Sequence, residues 1–398
     1  MDRDRRAAVH RSPLSSFVLL YALMYGAFGV ASPFWPRFFE TRGVTPQELG
    51  LLLAAGTAVR LFSGPLAGRV ADLLAARRAV LAACTGMAAL VALGLLPTQG
   101  LWLLLLVSLC HAAALAPITT LADALASRAA ATSGCAGGKS FEYGWVRGTG
   151  SAVFIVGTLI AGQVVGAVGL TSIVLMHAGL LAGAALVALL VPEATSTRNT
   201  IAQEEGATAG GFATLLHIAL FRRLLLVAAL VLGSHAMHDA FAVIRWNAAG
   251  IGPGAASVLW SLSVAAEVIV FFLIGPPLVA RAGPAAAAAI AAAAGALRWV
   301  VMALTADPLA LVLTQPLHGL TFALLHLACM RLLIGTVPPQ LAATGQAIYA
   351  LAAGAATALL TLAAGALYAR FGAAAFFAMA ALCAAALPLT WGLRTRSR

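Results

Sequence analysis

The sequence predicts an all-α integral membrane protein whose twelve transmembrane helices form two pseudo-symmetric six-helix bundles. Of the 398 residues, 62% are hydrophobic and only 9% are charged, and the mean hydropathy is +0.98. Soluble domains carry about 25% charged residues. Apolar runs of about 20 residues, the length that a helix needs to cross a hydrocarbon core about 30 Å thick, recur along the chain. Barrel strands alternate over only about ten residues, so the runs predict helices.

Twelve apolar runs define the predicted spans, and a polar break separates the first six from the last six. The break at 193–211 is rich in Thr, Glu, Ala and Gly, which is typical of a solvated linker. We therefore predict a first bundle at 1–192, a cytoplasmic linker at 193–221 and a second bundle at 222–398. The predicted spans are 16–39, 48–66, 79–96, 101–126, 146–168, 170–191, 224–246, 256–277, 284–304, 308–335, 341–369 and 373–392.

The distribution of basic residues predicts the orientation, because cytoplasmic loops carry the excess of Lys and Arg. If both termini are cytoplasmic, most basic residues of the connectors fall on the cytoplasmic side, and Arg37, Arg42 and Arg370 are exceptions. This topology accounts for the net charge of +11 without a nucleic-acid partner. We expect a multi-pass protein of the cytoplasmic membrane. The basic residues on the predicted cytoplasmic side are Arg3, Arg5, Arg6, Arg11, Arg69, Arg77, Arg78, Arg128, Lys139, Arg147, Arg198, Arg222, Arg223, Arg281, Arg394, Arg396 and Arg398.

The cysteines indicate neither a disulfide framework nor a cysteine-rich metal site. Cys84, Cys110, Cys135, Cys329 and Cys383 are scattered along the chain and form no CxxC pair. The sequence His-x-x-His-Asp from His235 to Asp239 also permits a metal site, but no second cluster of ligands is clearly aligned with it. We expect no metal and no cofactor.

A repeated motif indicates that the second half duplicates the first. Gly64-Pro65 is followed by Arg69 after span two, and Gly275-Pro276 is followed by Arg281 after span eight. Six plus six helices related in parallel, with substrate bound midway across the membrane between the halves, is a known transporter architecture. Chance is the alternative, since glycine, proline and alanine are abundant in this chain.

The connector between spans two and three resembles the loop signature of the major facilitator superfamily, which is a glycine, an aspartate and then basic residues. Leu73 stands where a basic residue is usual, and Ala75 and Ala76 replace the usual glycine and base. The matching residues are Gly68, Asp72, Arg77 and Arg78.

The chain is more closely similar to the phenylpropionate-permease branch of that superfamily, which is related to the lactose-type and nucleoside proton symporters. The resemblance runs along the full chain in preserved order. It is carried by 33–36 (PFWP), 123–125 (DAL), 143–147 (YGWVR), 150–151, 234–236 (SHA), Trp246, Gly250, 259–260 (LW), Glu267, 298–299 (RW), 317–322 (LHGLTF), His326, 345–347 (GQA) and Tyr349. It implies the major facilitator fold, function as a monomer, and proton-coupled uptake of a small organic substrate such as an aromatic carboxylate.

Ionisable residues inside the apolar runs are the candidates for proton coupling, because a charge at mid-bilayer costs from about 2.5 kcal/mol upward. His235, His238 and Asp239 lie on one face of span seven at spacings of three and four. Glu267 lies deep in span eight, where burial favours its neutral form. We predict that Glu267 forms a proton relay with His235 and His318, and Asp239 joins this group. The alternative for each histidine is a hydrogen bond that only holds helices together, which we favour for His177 and His326.

Other residues are candidates to bind the substrate or to form a gate. Arg60 and Arg298 are suited to a carboxylate, because a guanidinium stays charged and binds carboxylate in a fork. An aromatic wall and polar groups are predicted from Trp246, Trp260, Trp299, Gln315, Gln346, Tyr349 and His238. Asp123, with Arg128, Glu142 and Arg147, either pairs across two helices to bind substrate or lock a gate, or forms solvated loop ends.

Within transport, a sugar or nucleoside symporter and a drug exporter remain alternatives to an aromatic carboxylate carrier. A membrane-embedded enzyme is disfavoured, because the sequence has no nucleophile elbow and no HExxH motif. A non-transporting sensor would usually carry an appended soluble domain, and the longest polar stretch is only the central linker.

Overall fold

A computed structural model of the chain describes residues 13–133, 141–193 and 208–393, and in this part of the chain the regular structure is entirely helical. Basic residues 3, 5, 6, 11, 139, 198, 394, 396 and 398, as well as Cys135 and residues 194–207 of the predicted linker, lie outside the described residues. Ten candidate spans meet the length and hydropathy expected of a membrane-crossing helix. One of them, Pro339–Trp391, contains two long helices, and Ser172–Ala188 is a shorter apolar helix of 17 residues. The predicted count of twelve is reached when the two helices of Pro339–Trp391 are counted separately and Ser172–Ala188 is included.

Twelve helices, α1 to α12, follow the order of the predicted spans, and five of them consist of more than one helical segment. The first six are α1 (Pro13–Ala31, then Trp35–Glu40), α2 (Pro46–Leu73), α3 (Arg77–Gly94), α4 (Leu101–Leu115, then Ile118–Ser133), α5 (Tyr143–Val168) and α6 (Ser172–Ala188). A short helix, Thr208–His217, precedes α7 (Ala219–Gly233, then His235–Ala248). The others are α8 (Pro253–Ile269, Val270–Ile274, Gly275–Ala282), α9 (Pro284–Leu304), α10 (Pro308–Thr314, Leu317–Gly319, Leu320–Leu324, Leu325–Thr336), α11 (Ala342–Phe371) and α12 (Phe376–Trp391). Val270–Ile274 and Leu320–Leu324 are π-helical.

Helix α2 is longer at both ends than the predicted span 48–66. It begins with a capping box, in which the Thr45 amide donates to Glu48 Oε2 at 2.7 Å and the Glu48 amide donates to Thr45 Oγ1 at 3.3 Å. It continues through Pro65 to Leu73, so this glycine-proline pair does not end the helix as the sequence suggested. The corresponding Gly275-Pro276 also lies within α8, directly after its π-helical turn.

The same pattern of helix packing recurs in the two halves. In the first half, α1 packs against α5 and α6, α3 packs against α6, and α4 packs against α2 and α3. In the second half, α7 packs against α11 and α12, α9 packs against α12, and α10 packs against α8 and α9. Each pair in the first half therefore has a counterpart six helices later, as a parallel duplication requires. The exact residues at which the halves begin and end stay a prediction.

Two symmetry-equivalent helix pairs join the halves, α2 with α11 and α5 with α8. Close contacts of these pairs lie near the start of α2, where Gly50 faces Gly365, and near the start of α8, where Gly162 faces Ser257. A cavity of about 210 Å³ at this end has residues of both halves in its wall, including Phe34 and Asn247. The halves are thus closed together at the end that carries the α1–α2 and α7–α8 connectors.

The connector from α2 to α3 holds the residues of the loop signature. Arg77 donates from Nε to Asp72 Oδ1 at 2.7 Å, and the Arg78 amide donates to Glu193 Oε1 at 3.3 Å. Gly68 lies one turn earlier in α2, and a side chain there would meet open space. The signature therefore ties the end of α2 to the start of α3 and to the end of the first half.

Helix α2 ends in a Schellman motif whose left-handed position is an alanine. The Ala75 amide donates to the Asp72 carbonyl and the Ala76 amide to the Ala71 carbonyl, each at 3.1 Å. Ala75 has a φ of +49°, in the region that favours glycine. A left-handed conformation costs a non-glycine residue about 1 kcal/mol or more.

We expect Ala75→Gly to raise the thermal unfolding temperature of the purified protein. The relief of backbone strain exceeds the entropy that glycine adds to the unfolded chain, so the net gain is up to about 1 kcal/mol, or about 1–2 °C. Ala67→Gly, within α2, is the matched control and should lower stability by about 1 kcal/mol. Equal losses in the two variants would contradict the strain at Ala75.

Candidate functional site

The centre of the candidate site is Arg298 of α9, whose guanidinium is fully buried. It donates from Nη2 to Gln315 Oε1 at 2.8 Å and to His238 Nε2 at 3.2 Å, and from Nη1 to His318 Nδ1 at 3.0 Å. Ser263 of α8 donates to the same Gln315 oxygen at 2.8 Å. Arg298 therefore joins α7, α8, α9 and α10, and its acceptors are uncharged groups.

A carboxylate lies on the far side of each of the two histidines. His238 Nδ1 is 3.4 Å from Asp239 Oδ1, and His318 Nε2 is 3.6 Å from Glu267 Oε2. The Asp239 and Glu267 side chains are 57% and 32% exposed, whereas the His238 side chain is only 3% exposed. Arg298, the two histidines and the two carboxylates form one cluster. The carboxylates are its accessible surface, and the guanidinium lies behind them.

His235 belongs to the same cluster but does not contact Glu267. Its Nδ1 lies 3.1 Å from the carbonyl oxygens of Val231 and Leu232 in its own helix, and its Nε2 lies 2.9 Å from Thr321 Oγ1 in α10. Its ring centroid is 5.2 Å from that of His318. These bonds are those of a histidine that holds α7 against α10, and the predicted relay through His235 stays a prediction.

The three tryptophans surround His238 in different environments. Trp260 is half-buried and stacks on the His238 ring at a centroid distance of 5.1 Å. Trp246 and Trp299 are fully buried, and Trp299 donates from Nε1 to Ser234 Oγ at 2.8 Å. Of the predicted aromatic wall, Trp260 is therefore the member that is accessible, while the other two pack behind the histidines.

The first half contains a second candidate arginine, Arg60, at a depth comparable to that of Glu267. Arg60 is fourteen residues after Pro46 in α2, and Glu267 is fourteen residues after Pro253 in α8, so each lies about 21 Å along symmetry-related helices. Arg60 is exposed and has no carboxylate partner in the part of the chain that the structure describes. It is therefore free to bind an anion, unlike Arg298, whose two terminal nitrogens already donate to neighbouring side chains.

A pair of buried histidines lies near Arg60. His177 Nδ1 is 2.8 Å from the Ala27 carbonyl oxygen and must donate to it, so its Nε2 accepts from His111 Nε2 at 3.2 Å. Trp35 packs against both rings, with centroids 5.5 Å and 5.4 Å apart. The contact between His177 and α1 agrees with the packing role that we favoured. Sequence reasoning missed His111, because no local spacing connects residues 111 and 177.

In the described part of the chain, three further predicted residues, Tyr349, Gln346 and Asp123, form no hydrogen bond with the residues around Arg298. Tyr349 of α11 is buried, with its ring 6.3 Å from that of His326, and Gln346 is exposed one turn earlier. Asp123 accepts hydrogen bonds from the hydroxyls of Tyr21 and Tyr143, and among the described residues it forms no ion pair with an arginine.

Arg147 faces the cluster from the opposite half. Its guanidinium lies over the Tyr25 ring at 4.9 Å, and it is one of the charged groups near Glu267. The other titratable neighbour of Glu267, besides His318, is His326. Arg147 thus connects α5 electrostatically with α8 across the interface of the halves.

Among the residues that the structure describes, no three His, Cys, Asp or Glu side chains are grouped so as to hold a metal ion. Instead, His235 contacts Thr321, His238 contacts Arg298, and Asp239 lies beside His238.

A helical membrane protein built from two six-helix halves, with buried ionisable residues midway along its helices, has the architecture of a secondary transporter. The family comparison agrees: residues 14–379 match the MFS_1 like family. The chain belongs to this family of the major facilitator superfamily.

Curated and structural relatives are consistent with this assignment. The chain is 33% identical over 371 residues to a probable 3-phenylpropionic acid transporter of Escherichia coli K12, covering 90% of this chain and 92% of the relative. It superimposes on the D323A mutant of the nucleoside transporter NupG with a TM-score of 0.85 and 18% identity, over 96% of this chain and 100% of that one. A bacterial homologue of the lysosomal transporter Spinster gives a TM-score of 0.68 at 15% identity, over 96% of each chain. The structural matches show the fold alone.

Proposed function

We propose that the protein is a proton-coupled symporter that takes up a small aromatic carboxylate of the phenylpropionate type by alternating access. The curated relative, at 33% identity, carries the name of a probable 3-phenylpropionic acid transporter. The observation that carries the proposal is Arg60, an exposed residue that has no carboxylate partner among the described residues and lies at the depth of Glu267. A guanidinium binds a carboxylate in a two-pronged hydrogen bond. Half-buried Trp260 supplies an aromatic surface on the opposite half.

The proposed topology indicates from which side of the membrane the site is accessible in the present conformation. With both termini in the cytoplasm, the closed end with Gly50 and Gly365 is periplasmic, and the accessible carboxylates are reached from the cytoplasm. The protein then lies in the cytoplasmic membrane, functions as a monomer and uses the proton as its coupling ion, with no cofactor. The two bundles, 1–192 and 222–398, rock about the central site.

Coupling follows if the substrate anion and the proton favour the same conformations, since a ligand shifts an equilibrium only through differential affinity. A bound anion neutralises the guanidinium of Arg60 in the first half, and a proton neutralises the carboxylate of Glu267 in the second half. The loaded transporter then crosses between conformations with both sites neutral, which lowers the cost of enclosing them in a medium of low dielectric constant.

The experiment that tests this function is uptake of labelled 3-phenylpropionate into proteoliposomes, with and without an inward proton gradient. A panel of sugars, nucleosides and lipophilic drugs is measured in parallel. Accumulation of the aromatic acid that requires the gradient supports the proposal. Preference for a nucleoside or a sugar would assign that class of substrate instead of the aromatic acid. Extrusion of lipophilic compounds without uptake of the acid would overturn the proposal in favour of an exporter.

We expect Glu267→Gln to reduce gradient-driven accumulation of the substrate by about tenfold or more. Glutamine keeps the size and hydrogen bonding of a protonated glutamate but cannot release a proton. Exchange of internal for external substrate without a gradient should persist, because that reaction needs no net proton transfer. Glu48→Gln is the matched control, since glutamine also completes the capping box at the start of α2. Full pH-driven accumulation by Glu267→Gln would refute its role in coupling.

A further inference from the structure

The hydrogen bonds of Arg298 determine where the two neighbouring histidines carry their protons. A guanidinium only donates hydrogen bonds and stays charged, so each ring nitrogen that faces it must present a lone pair. These nitrogens are His238 Nε2, at 3.2 Å, and His318 Nδ1, at 3.0 Å. The proton of each neutral imidazole therefore lies on its other nitrogen, His238 Nδ1 and His318 Nε2.

Both of these N–H groups face carboxylates. The distances are 3.4 Å from His238 Nδ1 to Asp239 Oδ1 and 3.6 Å from His318 Nε2 to Glu267 Oε2. The result is a chain of five side chains, Asp239–His238–Arg298–His318–Glu267, with a cation in the middle and a carboxyl group at each end. Neither imidazole can accept a further proton without losing its bond to Arg298. The two carboxyl groups are therefore the positions in the chain where a proton can be added or removed.

The charge of the chain limits the number of protons. Arg298 contributes one positive charge, and it is fully buried. One ionised carboxylate makes the chain of five side chains neutral, whereas two leave it with a net negative charge at the depth of the membrane interior, where a charge is costly. Two acidic groups that interact in this way titrate as a pair.

Other ionisable groups also face the two carboxyl groups. Asp239 is faced by His235 in addition to His238, His318 and Arg298. Glu267 is faced by Arg147 of α5 and His326 of α10 in addition to His318. Both acids are partly exposed, so a proton can reach either end.

We propose that this five-residue chain holds one exchangeable proton, which Asp239 and Glu267 share as alternative carriers, and that Arg298 is the positioning residue that links them. The inference rests on the proposed proton coupling. It assigns Arg298 to the proton pathway rather than to the substrate, and it makes Asp239 as necessary for coupling as Glu267.

Removing either carboxyl group leaves the other as the permanent ionised partner of Arg298, so the exchangeable proton disappears. We expect Asp239→Asn and Glu267→Gln each to lower gradient-driven accumulation at least tenfold, while substrate exchange without a gradient stays within about threefold of wild type. Asp239→Glu should keep coupling, because it retains a carboxyl group. Asp307→Asn is the matched control, since asparagine can also cap the start of α10.

Infrared difference spectroscopy on the purified protein tests the inference without transport. The stretching band of a protonated carboxyl group should appear in wild type as pH is lowered and be lost in both single variants. A band that persists in Asp239→Asn, together with wild-type accumulation, would overturn the shared proton. If Asp239→Asn does not fold, equal bands in Asp239→Glu and Glu267→Gln would overturn it. Absence of gradient-driven uptake in wild type would instead refute the proposed function.

Discussion

Replacing Gly50 by tryptophan is expected to reduce transport at least 100-fold while leaving the protein folded and able to bind substrate. An added Cβ at Gly50 would lie 2.8 Å from the Gly365 Cα and 3.0 Å from the Thr361 carbonyl oxygen. These neighbours are backbone atoms of α11, so they cannot turn aside as a side chain would. The indole would therefore prevent α2 and α11 from meeting at this end.

The obstruction acts on one conformation of the transporter and spares the other. The halves contact each other through α2–α11 and through the symmetry-equivalent α5–α8. At the second contact, a Cβ on Gly162 would lie 2.8 Å from the Pro253 carbonyl oxygen. Blocking this end stabilises the conformation in which it is open, and alternating access then stops, because one of its two states is no longer reached.

Alkylation of an introduced cysteine measures the change directly. Val243 is buried and contributes to the wall of the cavity between the halves at the closed end, so Val243→Cys should react faster with a membrane-impermeant thiol reagent when Gly50→Trp is present. Peptide mass spectrometry identifies the labelled site. Gly166→Trp is the control, because a Cβ added at Gly166 meets nothing within 4 Å. Unchanged labelling and normal transport in Gly50→Trp would show that this end need not close.

The sequence predicted the helices well and their ends less well. Apolar runs locate all the long helices, because the bilayer requires continuous apolar length. Pro65 was interpreted as a helix end, yet α2 continues to Leu73. Proline is tolerated inside a membrane helix when neighbouring helices and local adjustments satisfy the freed carbonyl group. Nothing in the local sequence distinguishes that case from a termination.

In the candidate site, groupings within one helix could be predicted from the sequence, whereas contacts between helices could not. His238 and Asp239 could be grouped from the sequence because they are adjacent in α7. Their connection to Arg298 and Glu267 depends on how α7, α8, α9 and α10 pack, which no spacing within one helix encodes. The sequence also could not show that Arg60 is exposed while Arg298 is fully buried, which is the difference on which the proposed anion site rests.

We expect Arg60→Gln to weaken binding of an aromatic carboxylate about 100-fold, which corresponds to about 2.7 kcal/mol. A charge-assisted hydrogen bond contributes about 1.5–3 kcal/mol, and a guanidinium supplies two of them to one carboxylate. Arg60→Lys should restore part of the affinity, because an ammonium keeps the charge but loses the fork. Arg298→Gln does not serve this test, because it leaves His238, His318 and Gln315 without their shared donor.

The measurement that isolates the charge contact compares 3-phenylpropionate with its neutral amide in a binding assay on purified protein. The wild type should prefer the acid, and Arg60→Gln should bind acid and amide with similar affinity, because the group that distinguishes them is gone. Arg69→Gln, nine residues further along α2, is the matched control and should retain the preference. If the preference for the acid survives in Arg60→Gln, the carboxylate is held elsewhere, and exposed Arg147 is then the next arginine to replace.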